Sequence, residues 1–222
     1  MFDKEIIKHT IDRHILGVLL GREYARFSEM RPPRVDTNLY SYHLKTMLTD
    51  GWIEKTDKGY TLTPKGLIYV DRVSASTVAI RRQPKIITML LVQNSDGDVL
   101  MLKRQKQPYI DTWTLPYGKL HIDDASIIEA GKREADEKLH YVPTKLRHGG
   151  DCYIRVYEAD QILTSTLAHI VRFETDDIIE IDTLKWFSPL EITALRTAPA
   201  VNEIIARSFF GDKFFFEEFS IK

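Results

Sequence analysis

The beginning of the chain places apolar residues at the spacing of an α-helix. They recur between Ile6 and Leu20, which predicts one long amphipathic helix that Gly21 ends. A shorter helix is predicted to begin at Ser28, which can cap it, and to end at Arg31 because two prolines follow. The chain is therefore expected to open with two helices.

The pattern then predicts a third helix, a hairpin and a fourth helix. The third helix ends near Asp50, and its candidate caps are Asp36, Thr37 and Asn38. The segment WIEKTDKGYTLT that follows is typical of two short strands around a Gly-containing turn. A helical pattern resumes over residues 64–73, so four helices and a hairpin are predicted before the strands that begin at Lys85.

From Lys85 onward the pattern changes to short apolar strands. KIITMLLVQ and VLMLKRQ are joined by the turn NSDGD, and a helix is predicted over Ile127–Leu139. Later strands are predicted at DCYIRVYE, STLAHIVRFE and LKWFSP, and later helices at LEITALR and APAVNEIIARSFFGD. Hairpins rather than repeated crossovers favour an α+β sandwich.

These patterns divide the chain into two domains and a linker. Residues 1–75 form the helical domain with its hairpin, residues 76–84 the linker, and residues 85–222 the α+β domain with a C-terminal helical segment. The terminal run FFGDKFFFEEF is unusually aromatic, so we expect it to dock on the core or to form a dimer interface. A contact with a ligand is the alternative.

Composition narrows the possible partners. The chain has 222 residues and a net charge of -1, so any DNA-binding surface has to be local. The single cysteine, Cys152, cannot form an internal disulfide and is predicted to be a buried apolar residue. No signal peptide or membrane span is predicted, so we expect a cytoplasmic protein without a membrane partner.

The stretch NLYSYHLKTMLTDGWIEKTDKGYTLTPKG resembles the recognition helix and wing of winged helix-turn-helix bacterial transcriptional regulators. The resemblance implies that the helix over Asn38–Thr49 enters the major groove of double-stranded DNA. The residues implied to face DNA are Thr37, Ser41, Tyr42 and Lys45, and those near phosphates are Arg34, Lys55 and Lys58. A homodimer would present two such helices, and a module used only for dimerisation or protein contact is the alternative.

Two acids in the helix over Ile127–Leu139 could carry chemistry. Glu134 and Glu137 are three residues apart, so their carboxylates share a face, and Lys138 joins that face. Paired carboxylates can hold a hard cation such as Mg²⁺, which keeps several waters and bridges to phosphates. A solvated charged face is the alternative for such a helix.

The order of elements around this helix, with a glycine loop before it and KWFSP after it, resembles the Nudix superfamily over residues 85–210. The family motif is Gly, five residues, Glu, seven residues, Arg-Glu, an apolar residue, any residue, Glu-Glu, any residue, Gly and an apolar residue. The positions that fit are Gly118, Arg133, Glu134, Ala135, Glu137 and Tyr141. Asp124 replaces the first Glu with one extra residue after it, Lys138 replaces the last Glu, and His140 replaces the final Gly.

The resemblance implies an α/β/α sandwich and a site for Mg²⁺ or Mn²⁺. The implied metal ligands are Glu134, Glu137 and Asp124, with Arg133, Glu134 and Glu137 as the catalytic set. Lys138 opposes a divalent ion, or else contacts a phosphate directly. A loop acid could replace the missing Glu, and the candidates are Asp176, Asp177 and Glu180.

The same resemblance implies a nucleotide-linked small molecule as ligand. Its candidate contacts are Arg104, Trp113, Tyr117, Gly118, Lys119 and Lys138. Two functions follow. The first is a DNA-binding transcriptional regulator whose Nudix domain senses a nucleoside-diphosphate-type metabolite. The second is an Mg²⁺-dependent hydrolase of such a compound, with the winged helix used for dimerisation.

Overall fold

The computed structural model describes residues 7–74, 83–210 and 214–221. The chain forms two compact units, Met1–Arg82 and Gln83–Lys222. Most of the predicted linker, residues 76–84, lies outside the described residues, as does Ile6, where the first helix was predicted to begin. None of the described helices has the length and apolar character needed to cross a membrane.

Within residues 7–74, the first unit contains three helices and a hairpin. Its elements are α1 (Thr10–Leu20), α2 (Thr37–Thr49), β1 (Ile53–Thr56), β2 (Gly59–Leu62) and α3 (Pro64–Val70). One apolar cluster joins them, and its fully buried members include Ile15, Leu16, Met30, Tyr40, Met47 and Ile53. The periodic apolar positions of the sequence therefore form this core, as predicted.

Local capping sets where these helices begin. The His9 ring nitrogen Nδ1 accepts a hydrogen bond from the Ile11 amide, so α1 starts at Thr10, later than the pattern predicts. Among the three candidate caps of α2, Asp36 takes that role, accepting from the amides of Asn38 and Leu39.

The prediction of a short helix from Ser28 to Arg31 is wrong. This segment makes a single turn, closed by the amides of Glu29 and Met30 on the carbonyl of Arg26. Just before it, Ala25 pairs with Tyr60 in an isolated antiparallel bridge. The chain is thus tied to the hairpin at this point, which leaves room for one turn only.

The second unit is built on a mixed eight-stranded sheet. Its strands are β3 (Lys85–Gln93), β4 (Val99–Lys103), β5 (Trp113–Thr114), β6 (Tyr117–Lys119), β7 (Arg147–Glu158), β8 (Gln161–Glu174), β9 (Leu184–Phe187) and β10 (Phe215–Ile221). Their order is β10-β7-β8-β3-β4-β5, with β6 paired to β3 and β9 to β4. The pairs β3–β8 and β7–β10 are parallel and the other pairs are antiparallel.

Helices cover both faces of this sheet. They are α4 (Ile127–Leu139), α5 (Pro189–Ala194) and α6 (Val201–Phe210). Apolar residues of α4 pack with one face, and those of α5 and α6 pack with the other, where Cys152 is also buried. The prediction of a mixed α+β fold is confirmed.

The C-terminal segment differs from the prediction of a helical end. The helix α6 ends at Phe210, and Phe215–Ile221 forms the edge strand β10, parallel to β7. Gly150 in β7 permits this pairing, because a Cβ there would lie 2.6 Å from the Phe215 ring. The aromatic run therefore alternates along a strand, and Phe215 and Phe219 pack on the core.

Candidate phosphate and metal site

The helix α4 is positioned by caps at both ends. The Ser126 hydroxyl accepts from the Glu129 amide at the start. His140 ends the helix in the left-handed conformation, with φ of 50° and ψ of 38°. This is the motif position that calls for glycine, so the backbone shape of the motif is kept although the residue differs.

Arg133 connects the acids of the motif. Its guanidinium donates to both carboxylate oxygens of Asp124, at 2.9 and 2.8 Å, and to the Lys119 carbonyl at 3.1 Å. It also reaches Oε1 of Glu134 at 2.6 Å and Oε1 of Glu137 at 3.2 Å. These hydrogen bonds raise the pKa of Arg133, and the bond to Asp124 contributes most.

Asp124 is committed to this arginine. Its side chain is only 7% exposed, and its Oδ2 also accepts from the His121 amide at 2.7 Å. The bonds from Arg133 are the main cause that lowers the pKa of Asp124 to about 2. A turn closed by the Asp124 amide on the His121 carbonyl precedes Ser126, and both carboxylate oxygens of Asp124 accept hydrogen bonds from Arg133.

Glu134 is the buried acid of the site. Its side chain is 2% exposed and lies against Gly118, where any Cβ would collide with the carboxylate. Its second oxygen, Oε2, is buried and accepts no hydrogen bond within the described structure. A buried carboxylate oxygen without a donor is costly unless a cation or water satisfies it, which fits a metal ligand.

Lys138 stands at the solvent side of the same helix. Its Nζ lies 3.9 Å from Oε2 of Glu137, and its side chain is 39% exposed. It lines a surface pocket of about 320 Å³. The other charged residues that line this pocket are Lys103, Arg104 and Lys106.

Arg104 and Tyr117 both line this pocket. Its guanidinium donates to the carbonyls of Pro108 and Lys106 at 3.0 and 3.3 Å and to the Tyr117 hydroxyl. Since these partners are neutral, they fix the guanidinium without neutralising its charge. Arg104 and Tyr117 also line a smaller, more apolar cavity of about 70 Å³ next to it, together with Ile87, Met89 and Tyr109. A basic pocket beside a more apolar cavity suits a ligand in which a phosphate is joined to a flat ring.

The other predicted ligand contacts are placed differently. The Trp113 ring packs edge-on against Phe187 at 4.9 Å and belongs to the periphery of the core. Lys119 is exposed, and only its backbone carbonyl reaches the motif, through Arg133. Sequence reasoning missed Lys103 and Lys106, although the basic run KRQKQ at the end of β4 was a signal for them.

The three loop acids that could replace the missing glutamate already have hydrogen-bond partners. Asp176 accepts from the amide and hydroxyl of Ser95, and the Asp177 carboxylate accepts from the Thr175 hydroxyl at 3.4 Å. Glu180 accepts from the Trp186 amide at 2.7 Å. Each of the three therefore has a local partner that holds its carboxylate.

The predicted DNA-contact residues share one property, which is exposure. They are Arg34, Thr37, Ser41, Tyr42, Lys45, Lys55 and Lys58. Tyr42 is the most exposed of the large apolar side chains described on α2, at 66%. Their neighbour His43 turns inward instead, with Nδ1 at 2.8 Å from Oδ1 of Asp12 on α1.

A helix that carries Arg133, Glu134 and Glu137 over a glycine loop of a mixed sheet defines a Nudix-type domain. Residues 83–208, more than half of the chain, match the NUDIX domain family, and the chain belongs to that family. No curated protein matches the chain.

Two solved structures illustrate the shared fold. The MutT protein from Bacillus halodurans is 20% identical, with a TM-score of 0.51 over 61% of this chain and 89% of that one. The NUDIX domain of Shewanella oneidensis NrtR, complexed with ADP ribose, is 15% identical, with a TM-score of 0.50 over 67% of this chain and 97% of that one. At these identities the likeness concerns the fold alone.

Proposed function

We propose that this protein is a DNA-binding transcriptional regulator whose Nudix domain binds a nucleoside-diphosphate-type metabolite without efficient cleavage. The observation that carries the proposal is the place of Lys138. Where the family motif has a metal-binding glutamate, this chain has an ammonium group at the wall of a pocket that Lys103, Arg104 and Lys106 also line. Four cations at one pocket favour a polyanionic ligand such as a diphosphate.

The same ammonium weakens the case for catalysis. An ion held by Glu137 would lie close to Lys138, because the Lys138 Nζ is 3.9 Å from Oε2 of Glu137. At roughly 4 Å and an effective dielectric near 20, each unit of ionic charge adds about 4 kcal/mol of repulsion. Lys138 can instead donate to a phosphate oxygen, which binds the ligand in a way that needs no metal.

The first unit supports the DNA-binding half of the proposal. Helix α2 turns an exposed face with Ser41, Tyr42 and Lys45 to solvent, and the hairpin carries Lys55 and Lys58. The isolated bridge between Ala25 and Tyr60 pairs the chain before α2 with that hairpin, which is consistent with a winged helix-turn-helix. A homodimer would bring two copies of α2 to one double-stranded DNA site and so strengthen the binding.

The ligand site can be tested with the simplest diphosphate. We expect inorganic pyrophosphate, titrated calorimetrically into the full chain without divalent metal, to bind at least ten times more weakly to Lys138→Gln than to the wild type. Lys132→Gln is the matched control, since Lys132 lies on the same helix with 35% exposure against 39% for Lys138. Equal weakening in both variants, or in neither, would contradict the proposed site.

Hydrolysis is the second candidate, and the unpartnered Oε2 of Glu134 favours it. Glu134 and Glu137 would hold Mg²⁺ or Mn²⁺ through the oxygens that Arg133 leaves free. Such an ion polarises a diphosphate and lowers the pKa of bound water. In this case Arg133 orients both glutamates, and Asp124 orients Arg133 rather than binding the ion.

A further inference from the structure

A cluster of two imidazoles and one carboxylate lies on the long strands β7 and β8 and includes none of the acids of α4. Oδ1 of Asp151 is 2.7 Å from Nε2 of His148 and 2.6 Å from Nδ1 of His169. One ligand atom from each of the three residues lies within 4.8 Å of the other two. All three side chains are partly buried, so they are screened from water yet reachable from solvent.

A β-bulge brings these side chains to one side. Residues three apart on a regular strand point to opposite faces, and His148 and Asp151 are three apart on β7. The register of β7 against β8 shifts between His148 and Gly150, so an extra residue is inserted there. A Cβ on the inserted Gly149 would lie 2.6 Å from the Arg172 side chain, which makes this glycine part of the arrangement.

The cluster lies in register with the motif loop. Asp151 is paired with His169, His169 with Thr88, and Thr88 with Gly118, which touches Glu134. At about 4.8 Å per strand, three steps put Asp151 about 14 Å from Gly118. The two groups of ligands are therefore separate sites on one face of the sheet.

We propose that His148, Asp151 and His169 bind a divalent transition metal ion such as Zn²⁺. Imidazole nitrogen suits Zn²⁺, Co²⁺ and Ni²⁺, whereas the all-carboxylate pair on α4 suits Mg²⁺ or Mn²⁺. Three protein ligands leave a fourth position for water or another ligand. The Phe214 and His148 rings pack at right angles, with 5.2 Å between their centroids.

The ligand atoms have to move apart to admit the ion. Bonds of about 2.0 Å in a tetrahedral site place ligand atoms about 3.3 Å apart. The two nitrogen–oxygen distances, 2.7 and 2.6 Å, therefore have to open, with the ion replacing the two hydrogen bonds.

A second cluster of the same composition serves as a built-in comparison. His9, Asp12 and His43 also lie within reach of one another. However, Nδ1 of His9 already caps α1, and a metal on Nε2 would leave Nδ1 protonated and unable to accept the Ile11 amide. The positive end of α1 also opposes a cation at this place. We assign the metal to the cluster on β7 and β8 only.

The test is the titration of Zn²⁺ into the full, chelator-treated chain, with excess Mg²⁺ present to occupy the acids of α4. We expect one Zn²⁺ per chain, with affinity reduced at least 100-fold in His148→Gln and in His169→Gln. His9→Gln is the matched control and should bind Zn²⁺ as the wild type does. Asp151→Asn, which changes the charge but little of the shape, should weaken binding at least tenfold.

Thermal unfolding keeps the test independent of folding defects. Zn²⁺ should raise the Tm of the wild type and of His9→Gln above the value that each shows in chelator, and it should leave the Tm of His148→Gln unchanged. Absence of Zn²⁺ binding by the wild type, or loss of binding in His9→Gln with retention in His148→Gln, would overturn the assignment. Pyrophosphate binding at Lys138 is measured separately and is not affected by either result.

Discussion

At the scale of single residues, Arg133 explains why the motif keeps its shape despite its departures. One guanidinium joins Asp124, Glu134 and Glu137, so the loop and the helix are fixed together by charged hydrogen bonds. Asp124 is shorter than the glutamate it replaces and has an extra residue after it. The bonds to Arg133 show that these two changes leave the connection intact.

This connection predicts a pH-dependent contribution to stability. We expect Asp124→Asn to lower the free energy of unfolding by about 2 kcal/mol at neutral pH, because charged hydrogen bonds to Arg133 are lost. The folded-state pKa of Asp124 is lowered from 3.8 to about 2, so its contribution is present above pH 3.8 and is lost as the pH falls through about 2. Chemical denaturation at several pH values measures the difference from the wild type.

The exposed neighbour Asp123 supplies the control for that series. Asp123→Asn should unfold like the wild type throughout. A difference between Asp124→Asn and the wild type that stays constant between pH 4 and the folded-state pKa near 2 would show that the Arg133 pair does not stabilise the fold.

Replacing Lys138 with glutamate is predicted to change the kind of ligand that the site binds. Lys138→Glu restores the second glutamate of the family motif and places three carboxylates on one face of α4. We expect Mg²⁺ binding to tighten at least 100-fold and metal-free pyrophosphate binding to fall below detection. The new negative charge attracts the cation and repels the anion. Calorimetric titration of each ligand measures this, and unchanged Mg²⁺ affinity would mean that Lys138 lies too far from the ion.

The sequence predicted only part of this site. Helical spacing was enough to place Glu134 and Glu137 on one face, and the family motif pointed to Gly118. The engagement of Asp124 by Arg133 could not be derived, because it depends on the turn before Ser126. The basic pocket also required the structure, since it combines the end of β4 with a helix residue distant in sequence.

At the scale of elements, α2 carries the DNA-binding part of the proposal. We expect the affinity for a mixed-sequence DNA duplex to fall with salt, and Lys45→Ala to reduce the slope of log K against log salt by about 1. Fluorescence anisotropy over a range of salt concentrations measures the slope. Lys132→Ala, on the other unit, should keep the wild-type slope, and an unchanged slope in Lys45→Ala would remove Lys45 from the interface.

Elements with strong periodicity were predicted more reliably than their ends. The strands β3 and β4 and the helix α4 lie where the apolar pattern placed them. The first helix starts later than predicted because His9 caps it. The terminal strand β10 was missed because its parallel pairing with β7 depends on Gly150, far away in the sequence.

At the scale of the whole molecule, the two units have separate apolar cores, and each unit carries its own candidate binding features. The first unit exposes α2, and the second holds the acids of α4, the basic pocket and the histidine cluster. A regulator of this kind needs a coupling free energy of about 1–3 kcal/mol between ligand binding and DNA binding, which corresponds to a change in DNA affinity of about 5- to 150-fold.

The most direct measurement is a screen of nucleoside-diphosphate derivatives, ADP-ribose among them, with Mg²⁺ and with Mn²⁺. Phosphate release and thermal stabilisation are recorded together for the wild type and for Glu134→Gln. The account predicts that at least one compound stabilises the wild type while none is turned over above background. Turnover by the wild type that disappears in Glu134→Gln would contradict it and would make the protein a working Nudix hydrolase.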